Sequence, residues 1–131
     1  MLKLLYWLIE ISGIPFGLPG QMLEGGGDPW RGMVFGITTR AGWTSNSPSD
    51  IWKFWDSCHI ENMNMIGYRE KECQLACNNK LLKASIYKTQ DEAIIAVANW
   101  DDHYLETSFA IDWEKLGFDP SKTSLSIPKI Q

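Results

Sequence analysis

Cysteine and histidine are scarce in this chain, three of one and two of the other among 131 residues. Cys58, Cys73 and Cys77 contain no CxxC pair, and neither His59 nor His103 lies near Cys73 and Cys77 in the sequence. Ligand number and spacing both fall short of a zinc centre, so no metal is expected. Cys73 and Cys77 can be bridged only if the backbone brings them close, and free, partly buried thiols are the simpler expectation. Clustered basic residues are missing too. Twelve Lys and Arg stand against sixteen Asp and Glu, a net charge of −4, and this argues against nucleic acid as a partner. The apolar run Leu4 to Ile9 in "MLKLLYWLIEISG" is cut short by Glu10. It is too short to span a bilayer, and no small-x-small cleavage site follows it. A buried or amphipathic helix closed by Gly13 and Pro15 is expected there, with no membrane partner and no compartment indicated. There is no internal repeat and no low-complexity tract.

What is present is a globular composition, 44% hydrophobic and 21% charged, with enough length for one ordinary domain and a sizeable core. Seven tryptophans are many for this length. They suit either a heavy core or a stacking surface for flat ligands such as sugar rings. The stretch "GLPGQMLEGGGDPWRG", residues 17–32, combines glycine freedom with Glu24, Trp30 and Arg31. A linker needs the glycines but not a tryptophan and an arginine; a site loop uses all of them.

Along the first half, short extended and helical signals alternate. "IPFGLPG" is compatible with a buried strand. Asp28 and Pro29 form a helix-start signature, Asp28 accepting orphan N–H groups and Pro29 fitting the first turn. The helix is expected over "PWRGMVFGITTR", ending at Arg40, with Gly32 and Gly36 leaving one face bare for close packing. "AGW" reads as a short strand ending at Trp43. Ser47, Pro48 and Asp50 repeat the start signal, and "DIWKFWDSCHI" places Ile51, Phe54, Trp55 and Cys58 on one helical stripe. Strand and helix in this rhythm suggest an α/β barrel or open sheet.

The second half changes period. "KLLKASIYKT" and "EAIIAVANW" are apolar and β-branched runs separated by the turn-like "QD". A third run, "YLETSFAIDW", follows the polar turn "DDH", and a helical turn "WEKLGFDP" precedes "TSLSIPKI". Runs this close together imply antiparallel hairpins. The regimes meet near residues 68–80, in the polar "REKECQLACNNK". The expected fold class is therefore α/β plus all-β, with residues 1–70 supplying βα units and 71–131 an antiparallel β-sandwich-like domain. A closed barrel needs eight such units, so the chain reads as the C-terminal end of something larger.

The block "GIPFGLPGQMLEGGGDPWRGMVFGITTRAGW", with "IWKFWDSCHI" and "MIGYRE" after it, resembles the end of the catalytic barrel in glycoside hydrolase family 123-like proteins. The pattern "ASIYKTQDEAIIAVANWDD…FAIDWEKLGFDP" resembles the small antiparallel β-domain that closes many such glycosidases. The resemblance implies a partial (β/α)₈ barrel end followed by an antiparallel β-sandwich domain. It also implies hydrolysis of N-acetyl-β-galactosaminides by a substrate-assisted route, without a cofactor. In that route the sugar's acetamido oxygen attacks the anomeric carbon, an Asp orients the acetamido group, and an adjacent Glu protonates the leaving oxygen. The sequence departs from this pattern at the decisive point. Its one Asp-Glu dipeptide, Asp91-Glu92, falls on the hairpin turn, where a catalytic acid would lack the recessed setting that raises its pKa. The expected catalytic pair would lie upstream of Met1, so no catalytic residue is assigned in this chain.

Three residues are assigned to substrate binding. Trp43 stands where the last barrel strand would end and can floor a sugar ring, with a core tryptophan as the alternative. Glu24 can bond sugar hydroxyls beside three glycines that let backbone approach a ligand, or it is a solvated carboxylate or a partner of Arg31. Trp30 lines the rim of the site or packs at the helix start. Arg31 and Arg40 are read as ion-pair residues at helix ends, Trp52 and Trp55 as packing in the barrel's outer layer, and Trp100 and Trp113 as inter-sheet packing. "WDDH" is read as a solvated turn rather than a metal site. The expectation is a hydrolase-like chain inactive alone, with a carbohydrate ligand and with the rest of the barrel or self-association needed to complete it. The alternatives are a non-enzymatic carbohydrate-binding or interaction chain, and a truncated chain with no independent fold, whose bare apolar faces would drive aggregation.

Overall fold

A computed structural model describes residues 29–36, 49–71, 73, 75–77 and 79–128. The elements run in the order 3₁₀ helix Pro29–Phe35, helix α1 (Ser49–Ser57), a 3₁₀ turn at Ile60–Asn62, and strands β1 (Asn64–Ile66) and β2 (Leu75–Cys77). Strands β3 (Leu82–Lys88), β4 (Ala93–Asn99) and β5 (Phe109–Ile111) and the short helix α2 (Trp113–Leu116) complete it. The strands make an antiparallel sheet in the order β1-β3-β4 and an antiparallel ribbon of β2 with β5.

The hairpin of β3 and β4 is the framework, and its sequence explains it. Two apolar runs meet at Thr89–Glu92, where the Thr89 N–H donates to the Glu92 carbonyl at 2.9 Å. The Thr89 hydroxyl oxygen accepts from the Asp91 and Glu92 amides, at 3.2 Å each. These bonds put Lys88 opposite Ala93 and fix the register down to Leu82 opposite Asn99, because a slip of one residue would turn every side chain to the wrong face.

Alternation along β3 buries both faces. Tyr87 faces the core built by Met33, Val34, Phe35, Ile51, Ile60 and Met63, while Ile86 faces a second core with Ile66 and Leu116. Register carries each row across the sheet: Met65, Tyr87 and Ile94 lie in line, as do Ile66, Ile86 and Ile95. The 3₁₀ helix and α1 thus cover one face of the sheet, and Leu75, Ile111 and Trp113 of the ribbon and α2 pack on the other core. Ile51 is buried, and Phe54, Trp55 and Cys58 pack half-buried beside it, the stripe that the helical spacing predicts. Residues before and after position 70, where the division of the chain was expected, share both cores.

Several expectations change. The helix expected to reach Arg40 is a 3₁₀ helix ending at Phe35, where Gly36 turns left-handed at φ 73°. A left-handed residue stops helical hydrogen bonding, and glycine enters that region without steric cost. Helix α1 stops at Ser57, two residues before His59, at φ 50°, redirects the chain into the next turn. The run "YLETSFAIDW" shortens to Phe109–Ile111 and pairs with Leu75–Cys77, a segment the sequence reading placed in the polar boundary. "TSLSIPKI" forms no strand over the described residues 123–128, and Leu125 and Ile127 stand 83% and 90% exposed. The helical turn at "WEKL" is present as α2. Its start is capped by the Asp112 carboxylate, which accepts from the Lys115 amide at 3.1 Å, and its end is closed by Gly117 at φ 83°. The expected helix at 2–12 and the expected barrel strands at "IPFGLPG" and "AGW" lie outside the described residues. What the described residues build is an antiparallel β module with helical cover; no barrel strand is among them.

Candidate functional site

Of the three residues assigned to substrate binding, Glu24 and Trp43 lie outside the described residues, as do Asp28 and Arg40. Trp30 is half-buried on the first core, and its ring packs against Phe54 of α1 at 5.6 Å and 58°. A tilted pair of this kind contributes about 0.5–1.5 kcal/mol beyond area burial. Arg31 is exposed, and its guanidinium lies over the Trp100 ring at 5.4 Å, so stacking on an aromatic face is the contact seen where an ion pair was expected. Trp100 in turn meets Phe35 edge-on at 5.6 Å. The segment that follows the glycine loop is thereby held from two sides, by Phe54 at Trp30 and by Trp100 at Arg31 and Phe35. Trp100 packs on the first core, against the 3₁₀ helix where inter-sheet packing was expected, and Trp113 packs on the second core beside Leu75 and Ile111. Trp52, on the outer side of α1, is 37% exposed.

Two hydroxyls beneath this segment were not singled out from the sequence. Ser85 and Tyr87 stand two apart on β3, on the same face, and both are 0% exposed. The Ser85 hydroxyl donates to the Val34 carbonyl at 2.7 Å and accepts from the Tyr68 amide at 3.1 Å. The Tyr87 hydroxyl donates to the neighbouring Met33 carbonyl. A seven-residue 3₁₀ helix is long for its kind, and near its end the Met33 carbonyl accepts a long bond from the Gly36 amide at 3.4 Å. The sheet supplies further donors, to the Met33 and Val34 carbonyls. Burial pushes the Tyr87 phenol well above its ordinary range, only partly offset by the Gly36 amide, so it stays a donor across all ordinary pH. Ala96, directly across the sheet from Ser85, leaves room for the segment to approach the sheet. A lone serine inside an apolar strand was the available signal, but alternation by itself reads such a residue as solvated.

The remaining chemistry-bearing residues are in turns. Asp91 and Glu92 are exposed at the hairpin tip. In "WDDH" the turn satisfies itself: the Asp101 carboxylate accepts from the His103 amide at 3.2 Å and lies 3.1 Å from its ring Nδ1, and Asn99 bonds Asp101 N and His103 O. Hydrogen bonds from the His103 side chain and amide hold the Asp101 carboxyl below its ordinary range. Among the described residues no group of three His, Cys, Asp or Glu side chains is placed to hold a metal ion. All three cysteines are free and half-buried, as expected. Burial raises the Cys58 thiol pKa, and the nearby Glu92 and Glu61 charges add to it.

A second concave feature lies where β1 leaves β3. Gly67 ends the pairing, with its amide donating to the Glu70 carboxylate at 2.6 Å, and Leu82–Ser85 of β3 continue without β1 beside them. The resulting bay encloses about 190 Å³ between Tyr68, the ribbon residues Leu75, Cys77 and Phe109, and the β3 residues Leu82 and Ala84. Cys73 also lines it and donates to the Ala84 carbonyl at 3.7 Å.

Comparison with known families assigns the two halves of this arrangement. Residues 3–42 match the glycoside hydrolase 123 TIM-barrel domain, and residues 47–131 match the glycoside hydrolase 123 C-terminal domain. The 3₁₀ helix thus falls within the barrel match, and α1 with all five strands falls within the C-terminal match. Neither the curated proteins nor the solved structures give a match. The C-terminal match alone spans more than half of the chain, and the chain belongs to glycoside hydrolase family 123.

Proposed function

We propose that this chain serves a glycosidase of the N-acetyl-β-galactosaminide-cleaving, substrate-assisted kind, in which its C-terminal module braces the last βα units of a (β/α)₈ barrel and one wall of the sugar site. The observation that carries the reading is the pair of buried hydroxyls, Ser85 and Tyr87, that grip the carbonyls of Val34 and Met33. Two adjacent bonds from a rigid hairpin orient the segment that directly follows the glycine loop. Such support is what a sugar-binding wall requires, since small misplacements of a positioning group are costly in rate. In this reading Glu24 bonds sugar hydroxyls, Trp43 floors the ring and Trp30 closes the rim. The β module is the sandwich-like cap that follows the barrel.

The chain itself does not supply the reaction's acid. Asp91-Glu92 is exposed on a turn tip, on the far side of the hairpin's length from Leu82 and Asn99, and a solvated carboxyl lacks the environment of a proton donor. We therefore expect purified chain 1–131 to leave aryl N-acetyl-β-galactosaminides intact. Turnover that Glu24→Gln abolishes would overturn this and move the acid into the glycine loop.

A non-catalytic sugar-binding role is the second reading, favoured by the exposure of Trp52 and by the tryptophan content. Titration of tryptophan fluorescence with N-acetylgalactosamine separates the two. A saturable change lost in Trp43→Ala supports a sugar wall, and a change lost only in Trp52→Ala supports the second reading.

A further inference from the structure

We propose that the bay between β3 and the β2–β5 ribbon binds a small organic anion, of the size of one sugar unit or less, bearing a carboxylate or a sulfate. The site is separate from the sugar wall and does not depend on the hydrolytic reading.

Its volume sets the size. About 190 Å³ corresponds to roughly six waters at ~30 Å³ each and lies below the ~300 Å³ at which drug-sized pockets begin. Only a single compact unit fits. Its charge sets the sign. Lys80 and Lys83 line the bay, and no described carboxylate does. Neither ammonium is in an ion pair with a described acid, although the chain as a whole is acidic at net −4. Lys83 is held at the bay: its Nζ donates to the Lys80 carbonyl and sits 5.8 Å from the centre of the Tyr68 ring. Arg69 covers the same ring at 5.9 Å. Two ammonium groups at the bay, with no described carboxylate among its lining residues, attract an anion and leave ammonium protons for its oxygens.

The walls set the body. Tyr68, Phe109, Leu75 and Leu82 back the bay and Asn79 adds an amide, but most of its open lining is polar. A polar lining with two ammonium groups suits a small unit that carries hydroxyls and one acidic group. The Asn79 side chain is already oriented, accepting from the Leu81 amide at 2.9 Å, which leaves its NH₂ for a ligand oxygen. β3 itself stays in place because β4 pairs with it along its whole length.

The two thiols make the site testable by mapping. Cys73 and Cys77 line the bay and Cys58 does not, so the third thiol serves as an internal reference. The intact chain is titrated with glucuronate and with N-acetylgalactosamine 6-sulfate, and neutral N-acetylgalactosamine serves as the control. Iodoacetamide labelling of each cysteine is followed by mass spectrometry. The expected result is saturable protection of Cys73 and Cys77 by at least one anion, unchanged labelling of Cys58, and weakening of binding by about tenfold or more in Lys83→Gln. Lys80→Gln, an exposed position that folding does not depend on, should weaken it by at least about threefold. Which of the two acids protects better distinguishes a carboxylate from a sulfate. Equal protection by the neutral sugar, protection that survives both lysine variants, or no protection up to about 20 mM anion would each overturn the proposal. None of these results bears on hydrolysis, so the two readings fail separately.

Discussion

Replacing Ser85 with alanine removes one oxygen and strands two partners. That oxygen donates to the Val34 carbonyl at 2.7 Å and accepts from the Tyr68 amide at 3.1 Å, in a position with 0% exposure. Alanine fits the space, so no overpacking complicates the result. A buried hydrogen bond contributes about 1 kcal/mol net, and a partner left unsatisfied costs about 1–3 kcal/mol, which places Ser85→Ala at about 2–4 kcal/mol. Tyr87→Phe removes the phenol oxygen that bonds the Met33 carbonyl and should cost about 1–2 kcal/mol. Against the ~5–15 kcal/mol of an ordinary domain either loss is readily measured. The two carbonyls are adjacent on one 3₁₀ helix, so releasing one lets the other move, and the double variant should cost less than the sum. Urea unfolding with m values reads the energies, and hydrogen exchange reads the site. The Tyr68 amide should lose protection in Ser85→Ala and keep most of it in Tyr87→Phe. A Ser85→Ala change below about 0.5 kcal/mol at unchanged m, or an unaltered Tyr68 amide, would refute the clasp.

Tyr87 also predicts an alkaline limb. Its phenol is raised above the ordinary value near ~10, so the folded chain keeps a proton that the unfolded chain releases. The stability this gives is complete below the unfolded pKa and falls as pH rises from about 10 upward. Stability measured across that range should decline less steeply in Tyr87→Phe; Tyr68, shifted the same way by burial, leaves a residual slope. At the other end of the chain, Gly117→Ala forces a side chain into a left-handed residue, φ 83°, where the added carbon would have open space with only the Lys88 ammonium at 4.0 Å. The cost is therefore backbone strain alone, about 1–2 kcal/mol by urea unfolding. A neutral result would mean that α2 does not need this turn.

The candidate site was legible only in outline. The sequence places Trp30 and Arg31 beside each other at the end of a glycine loop, and the structure gives both a defined contact, on Phe54 and on Trp100. It offered no means of finding Ser85 as a donor, because its partner lies 51 positions away. Nor did it reveal the bay, which exists because β1 stops at Gly67 while β3 continues. Its lysines come to line one hollow only because the fold sets the ribbon residues opposite them. The exclusions based on charge and apolar run length were sequence matters from the start.

The order of the chain's local signals decided the β3–β4 hairpin by itself. Two runs that favour strands, joined by residues that make a tight turn, have one simple way to pair. The stripe of Ile51, Phe54, Trp55 and Cys58 was likewise local, since helical periodicity alone puts them on one face. Tertiary structure decided the rest. Leu75–Cys77 has too little strand signal to stand alone and becomes a strand only against Phe109–Ile111, over thirty residues further along the chain. The 3₁₀ helix stops where Gly36 turns, and its Met33 and Val34 carbonyls gain the Tyr87 and Ser85 hydroxyls because folding brings β3 beneath them. A buried polar group is decided by its partner, and a partner distant in sequence is supplied by the fold.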